Sequence, residues 1–227
     1  MRVINLIILI LLAILATSCG GKEIGRCDLT EAQKQLIRYK KGQIICFTDG
    51  NGQAVNFSVT ESELSWLRQD IDEESSFGSD YYTYRRKLVK LESSSNNLEI
   101  FLWIDSEGCL SEKLLSSFVI AIGYGQPTIW EFSSWSDAAG NFLIINSATF
   151  HESIEINGKV YYDVLEQKNH RDDSRLFYNK TYGILQINRD GENFLTINHK
   201  TDENGKYNNP VIIDCLDFPL ADSAGAD

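Results

Sequence analysis

Three times in this chain an Asx-Gly pair separates two arms of alternating apolar and polar residues: Asn51-Gly52, Asn157-Gly158 and Asp190-Gly191. Tight hairpin turns need positive φ, which Gly, Asn and Asp accept more readily than other residues. Each pair therefore predicts a β-hairpin. In QIICFTDGNGQAVNFSVT, Val55, Phe57 and Val59 alternate with Ala54, Asn56 and Ser58, giving one buried and one wetter face. In SATFHESIEINGKVYYDVLEQ, Phe150, Ile154 and Ile156 are expected inward on the first arm, and Val160, Tyr162 and Val164 on the second. YGILQINRDGENFLTIN supplies the third hairpin. Hairpins repeated in this way describe a mainly β fold, an antiparallel meander. No fixed repeat marks a propeller or solenoid.

The segment before the first hairpin differs. CDLTEAQKQLIRYKKG reads as one N-terminal helix, with a capping box from Asp28 and Glu31 or from Thr30 and Gln33, and Gly42 as its stop. Two strands break clean alternation. NLEIFLWID places Leu98, Ile100, Leu102 and Ile104 on one face but Phe101 and Trp103 on the other, and NFLIINS is apolar on both faces. Such strands are covered on both faces. The cover is the helix, a second sheet or a bound apolar ligand, burial by protein being the commoner case. PVIIDCLDF reads as a last strand, with Pro210 tolerable at its first residue. The domain reading is thus a single β-rich domain over 29–218, followed by a disordered acidic tail over 219–227.

The chain opens with Met1 and Arg2, then the apolar run VINLIILILLAILA, then the small residues Ala16, Thr17 and Ser18, then Cys19. The run is too short for a comfortable membrane span, which needs about 20 residues. Its order is that of a secretory signal. It resembles a bacterial lipoprotein signal, in the relaxed form common among Bacteroidota, with Ala16 where the strict pattern has Leu. That resemblance implies removal of residues 1–18 and acylation of Cys19 with diacylglycerol and a further acyl chain such as palmitate. It also implies anchorage in the outer membrane, because Gly20 rather than Asp follows the cysteine. The scarcity of acidic residues just after Cys19 points to the periplasmic side. GGKEIGR reads as a spacer, so residues 19–28 are expected to be a flexible tether.

The charge balance narrows the partners. The chain holds 21 basic and 32 acidic side chains, a net −11 that becomes −12 once Arg2 leaves with the signal. Nucleic acid is excluded as a partner, since phosphate recognition needs clustered Lys and Arg. The balance also disfavours electrostatic docking onto anionic lipid. The one tight basic triplet, Arg85-Arg86-Lys87, reads as a solvated strand face. Cys27, Cys46, Cys109 and Cys215 remain beyond the anchor, an even number that in an oxidising compartment suggests two disulfides; buried thiols are the alternative. Three pairings are open.

Catalytic patterns are sparse. His151, His170 and His199 are far apart, and neither an HExxH helix nor a GxSxG elbow occurs. His170 beside Asp172 and Asp173 falls between two strands, where a polar loop is expected. No cofactor pattern and no metal-ligand spacing are present. Aromatic residues are the better candidates for ligand contact: Tyr81, Tyr82 and Tyr84 in the DYYTY run, with Trp103, Trp130 and Trp135, and Trp66 nearby in sequence. They suit sugar stacking, a greasy groove, or an ordinary core. FYNKTYGILQI, through Tyr178, Tyr182 and Gly183, resembles a stretch of uncharacterised Bacteroidota lipoproteins and of half-barrels that carry lipids or lipoproteins. This implies a curved antiparallel sheet or half-barrel with the helix at its concave face. The function expected is non-enzymatic: an envelope lipoprotein that binds an apolar ligand or supports an envelope protein assembly. A surface glycan-binding module is the first alternative and an envelope hydrolase the second.

Overall fold

The computed structural model describes residues 21–71, 79–106, 115–124, 128–143, 148–169 and 171–198. They form β1 (Glu23–Cys27), α1 (Glu31–Lys34), β2 (Ile44–Asp49), β3 (Ala54–Asp70), β4 (Tyr81–Ser93), β5 (Glu99–Asp105) and β6 (Ser116–Gly123). Then follow β7 (Thr128–Ser136), β8 (Phe142–Leu143), β9 (Ala148–Ile156), β10 (Lys159–Lys168), β11 (Arg175–Asn179), β12 (Gly183–Arg189) and β13 (Glu192–Ile197). All these strands belong to one sheet. Twelve run antiparallel in the order β8-β7-β6-β5-β4-β3-β2-β13-β12-β11-β10-β9, and β1 joins off that path, parallel to β4.

Two meanders, β2 to β8 and β9 to β13, are joined by β13 lying against β2. This puts β8 and β9 at opposite ends of the strand order, yet only residues 144–147 separate them in the chain. The five steps from Leu143 to Ala148 reach at most about 18 Å. The sheet must therefore roll, and it forms a curled half-barrel. Side chains meet across the roll. Phe118 of β6 packs on Tyr178 of β11 with ring centroids 5.0 Å apart, and Trp130 of β7 meets Phe194 of β13 at 5.1 Å.

The Asx-Gly turns form as their chemistry requires. Asn157 and Gly158 have φ of 51° and 74°, and Asp190 and Gly191 have 50° and 85°. In the first hairpin the Asp49 carboxylate accepts the N–H groups of Asn51 and Gln53 at 2.9 and 2.8 Å, closing the turn. One facing expectation is corrected. The turn at 157–158 pairs Ile156 with Lys159 and Ile154 with Tyr161. Paired residues share a face, so Lys159 and Tyr161 go inside with the isoleucines. Val160 and Tyr162 face solvent, 49 % and 66 % exposed, and Phe150 is exposed as well. Val164 is buried as expected, beyond an interruption of the β9–β10 ladder at Asp163, whose φ is 55°.

The helix is shorter than its apolar stripe predicts. Thr30 and Gln33 form the capping box, but α1 ends at Lys34. The carbonyls that would continue it are taken by inward side chains. The Lys87 ammonium donates to the carbonyls of Lys34, at 2.6 Å, and Ile37, and the Tyr178 hydroxyl donates to that of Leu36. Residues 29–39 thereby become a plug for the half-barrel. Leu29, Leu36, Ile37 and Tyr39 are buried in one core with Phe47, Phe57, Ile100, Leu102, Phe118 and Tyr178. Thr30 and Gln33 tie the plug to the β7–β8 turn through the carbonyls of Ala138 and Asp137, at 2.8 and 3.1 Å.

The concave face is thus filled by the protein's own side chains. Part of the outer face of β5 is covered too. The Lys90 ammonium stands over Phe101 at 5.3 Å and the Arg86 guanidinium over Trp103 at 5.9 Å. Both cations are pinned, Lys90 by Glu92 and Glu99, Arg86 by Asp105. At the start of the chain, residues 23–27 depart from the expected tether: they form β1, because the edge of β4 left open beyond β5 offers them hydrogen bonds. Cys19, the signal residues, Cys109, His170, His199, Cys215, the proposed last strand and the acidic tail lie outside the described residues.

Candidate functional site

The aromatic residues singled out in the sequence separate in the fold. Trp130 is buried, its indole N–H donating to Asp172 at 3.2 Å. Burial pulls the Asp172 carboxyl up, but hydrogen bonds from Ser174 and Trp130 and the charge of Arg189 hold it below the usual range. Trp103 and Trp135 are half-buried on β5 and β7. Tyr81, Tyr82 and Tyr84 gather elsewhere, on the stretch of β4 that runs past β5.

That stretch is a three-stranded extension. β5 ends with Asp105 opposite Arg86, while residues 81–85 continue against β3 and, from 81 to 84, against β1. Five residues of strand reach about 17 Å. On one face Trp66 lies opposite Arg85, and two guanidinium groups stack on its indole, Arg26 at 3.9 Å and Arg85 at 4.7 Å from the ring centroid. Arg68 lies over Tyr81 at 3.8 Å and pairs with Asp70 at 2.6 Å. On the other face the rings of Tyr82 and Tyr84 are 6.2 Å apart, and the Tyr82 hydroxyl donates to Gln69 at 2.5 Å. Each cation–π contact contributes about 0.5–1 kcal/mol at such exposure, so stacking stiffens the extension.

The basic triplet is therefore more than a solvated face. Arg85 stacks on Trp66. Arg86 makes a two-pronged pair with Asp105 at 2.7 and 2.6 Å. Lys87 points inward and caps the plug; burial holds its amine below the usual value, with nearby Glu31 partly offsetting this.

A cavity of about 640 Å³ opens between β10 and the β11–β12 turn. Lys159, Tyr161, Tyr162, Asp163, Asn179 and Tyr182 line it. The Lys159 ammonium sits 5.0 Å from the Tyr161 ring and 4.7 Å from Tyr182, and burial pushes its amine down. Asn179 holds the wall. Its amide donates to the carbonyls of Tyr162 and Asp163 at 2.5 and 3.3 Å, and its oxygen accepts the N–H groups of Thr181 and Tyr182. Sequence reasoning missed Lys159 and Asn179. The signal for Lys159 was present: a two-residue turn after an inward Ile156 carries residue 159 inward.

His151 is the only histidine among the described residues. Its Nε2 lies 2.7 Å from Glu166 Oε2, while Arg175 donates to Glu166 Oε1 at 2.9 Å. The carboxylate is shared between two cations or donors on a strand face. Among the described residues no group of three or more His, Cys, Asp or Glu side chains is placed to hold a metal. Cys27 and Cys46 are both disulfide-bonded.

A comparison of the chain with protein-family models, with curated proteins and with solved structures finds no match.

Proposed function

We propose that this chain is a non-enzymatic lipoprotein of the cell envelope, acylated at Cys19 in the outer membrane, with its body on the periplasmic side. Its folded part supports a protein assembly rather than carrying an apolar ligand. The address rests on the order of residues 1–19. The role rests on one observation: the concave face that a carrier would keep open is occupied by residues 29–39 and by Phe47, Phe57, Phe118 and Tyr178. Part of the apolar outer face of β5, which gave the ligand reading its force, lies beneath Lys90 and Arg86. What remains for a partner is surface: the nine-residue edge strand β9, and Val160 and Tyr162 beside it.

Native mass spectrometry of detergent-extracted protein tests the role. The expected spectrum contains the acylated chain with a protein partner and no stoichiometric loose lipid. A loosely held lipid at one per chain overturns the scaffold reading in favour of carriage.

A glycan-binding role is the second reading, favoured by the cavity at β10–β12 with its tyrosines, amide and carboxylate. Pockets of this size suit small ligands. Binding on a glycan array that disappears in Tyr162→Ala would select it over the first.

A further inference from the structure

The chain enters the fold at the tip of the β3–β4 extension. The Lys22 carbonyl accepts the N–H of Tyr81 at 3.1 Å, and the Lys22 N–H donates to Asp80 at 3.0 Å. Gly21 lies so close to the strand that a Cβ there would stand 1.8 Å from the Ser79 carbonyl oxygen. Cys19 is two residues before Gly21, a reach of at most about 7 Å. Whatever is attached to Cys19 therefore starts at this tip and nowhere else on the body.

The surface around the entry point has the composition of an interfacial contact. Ile24 and Ile71 are exposed there. Trp66 and Tyr81, on the face that also carries Arg85, are half-buried, with rings that suit the headgroup layer. Three of the described acids here have partners within the extension: Glu23 accepts from Thr83 at 2.5 Å, Asp70 from Arg68 and Asp80 from Lys22. Arg26, which is exposed, and Arg85, which is half-buried, both lie against the Trp66 indole, and neither guanidinium has a carboxylate partner among the described residues. Guanidinium groups in that state match phosphate. The net charge of −12 left once Arg2 departs with the signal, with Asp72, Glu73 and Glu74 following in the sequence, disfavours a bilayer rich in anionic lipid.

We propose that the β3–β4 extension, with β1, lies on the zwitterionic phospholipid surface beside the acyl chains of Cys19, with Arg26 and Arg85 meeting headgroup phosphates and Trp66 at headgroup depth. This rests on the lipoprotein reading above. Acylation alone would leave the body free to tumble on its anchor; the extension gives it one orientation, with the half-barrel and the β9 edge held away from the bilayer.

The test uses the acylated protein purified from membranes and reconstituted in phosphatidylethanolamine–phosphatidylcholine vesicles that contain a lipid with a nitroxide on its headgroup. Indole fluorescence is expected to be quenched in the wild type, and most of that quenching is expected to be lost in Trp66→Phe. Arg26→Glu, a change at an exposed residue, is expected to weaken it. Quenching that is the same in wild type and Trp66→Phe overturns the docking. Labelled palmitate incorporation is measured on the same preparations. A protein that takes up palmitate but shows no Trp66-dependent quenching defeats the docking alone; one that takes up none defeats the anchor and the docking with it.

Discussion

The phenolic oxygen of Tyr39 occupies the place where a side chain on residue 183 would begin: a Cβ added to Gly183 would lie 1.9 Å from it. The same oxygen accepts the N–H of Ile184 at 2.7 Å, and Gly183 has φ of 79°. Plug and sheet are thus joined at a point only glycine permits. Gly183→Ala must expel the phenol and adopt an unfavourable φ. It is expected to destabilise the protein by about 2–4 kcal/mol, read as a lower urea midpoint. A midpoint within error of wild type would show that the plug does not need this contact.

Two buried tyrosines predict the alkaline limb of stability. Burial raises the phenol of Tyr39, partly offset by the bond from Ile184, and burial raises that of Tyr178. The folded values lie above the unfolded value of 10.0, so their stabilisation is complete below pH 10. Above it the unfolded chain releases protons that the folded chain keeps. Stability should then fall by about 1.4 kcal/mol per pH unit for each tyrosine. Lys90, raised by the bonds it donates to Glu92 and Glu99, adds to the fall above 10.5; Lys87, lowered chiefly by burial, works the other way up to that pH. Urea titrations between pH 10 and 11.5 should give a shallower slope for Tyr178→Phe by one proton's worth. An unchanged slope would mean that Tyr178 ionises in the folded state as readily as in the unfolded one.

Disulfide pairing is constrained by strand register. Cys27 lies beside Tyr84, which pairs with Leu67, whereas Cys46 pairs with Asn56. The eleven steps along β3 from Asn56 to Leu67 span about 36 Å, and a disulfide needs Cα atoms within about 7 Å. The two cysteines therefore have other partners. Ser106, three residues before Cys109, donates its hydroxyl to the Cys27 carbonyl at 2.9 Å, and Asn198, on the way to Cys215, donates its N–H to the Cys46 carbonyl at 2.8 Å. Non-reducing peptide mapping should return Cys27–Cys109 and Cys46–Cys215. The crossed pairs would contradict this.

The two-pronged pair of Arg86 and Asp105 is placed where Asp105 is buried and Arg86 about one-third exposed. Asp105→Ala is expected to cost about 2–3 kcal/mol, because it leaves a half-buried guanidinium without its carboxylate. Arg86→Met in the same background should recover part of that loss by restoring apolar cover over Trp103. If the double variant is as unstable as the single one, the loss lies in Asp105 packing rather than in an orphaned charge.

Period and turn chemistry made the sheet legible. Alternation in VNFSV and the three Asx-Gly pairs each act within a few residues, and each formed as expected. The candidate sites were less so. Trp130 and Trp103 look alike in sequence, yet one is buried against Phe194 and the other is half-buried beneath Arg86. Arg85, Arg86 and Lys87 are adjacent in the chain but have three unrelated partners, Trp66, Asp105 and the plug carbonyls. Partners from 19 to 53 residues away leave no mark on local pattern.

By itself the sequence determined the mainly β character, the Asx-Gly hairpin turns and the antiparallel sense of the meander, since backbone φ preference and a two-residue side-chain period are local properties. Only the tertiary structure decided that residues 29–39 would fill the roll instead of lying on it as a long helix, and that the first described residues would lie at the tip of the β3–β4 extension. Both depend on which distant groups compete for backbone carbonyls and sheet edges, and that competition is settled only when the whole chain has packed.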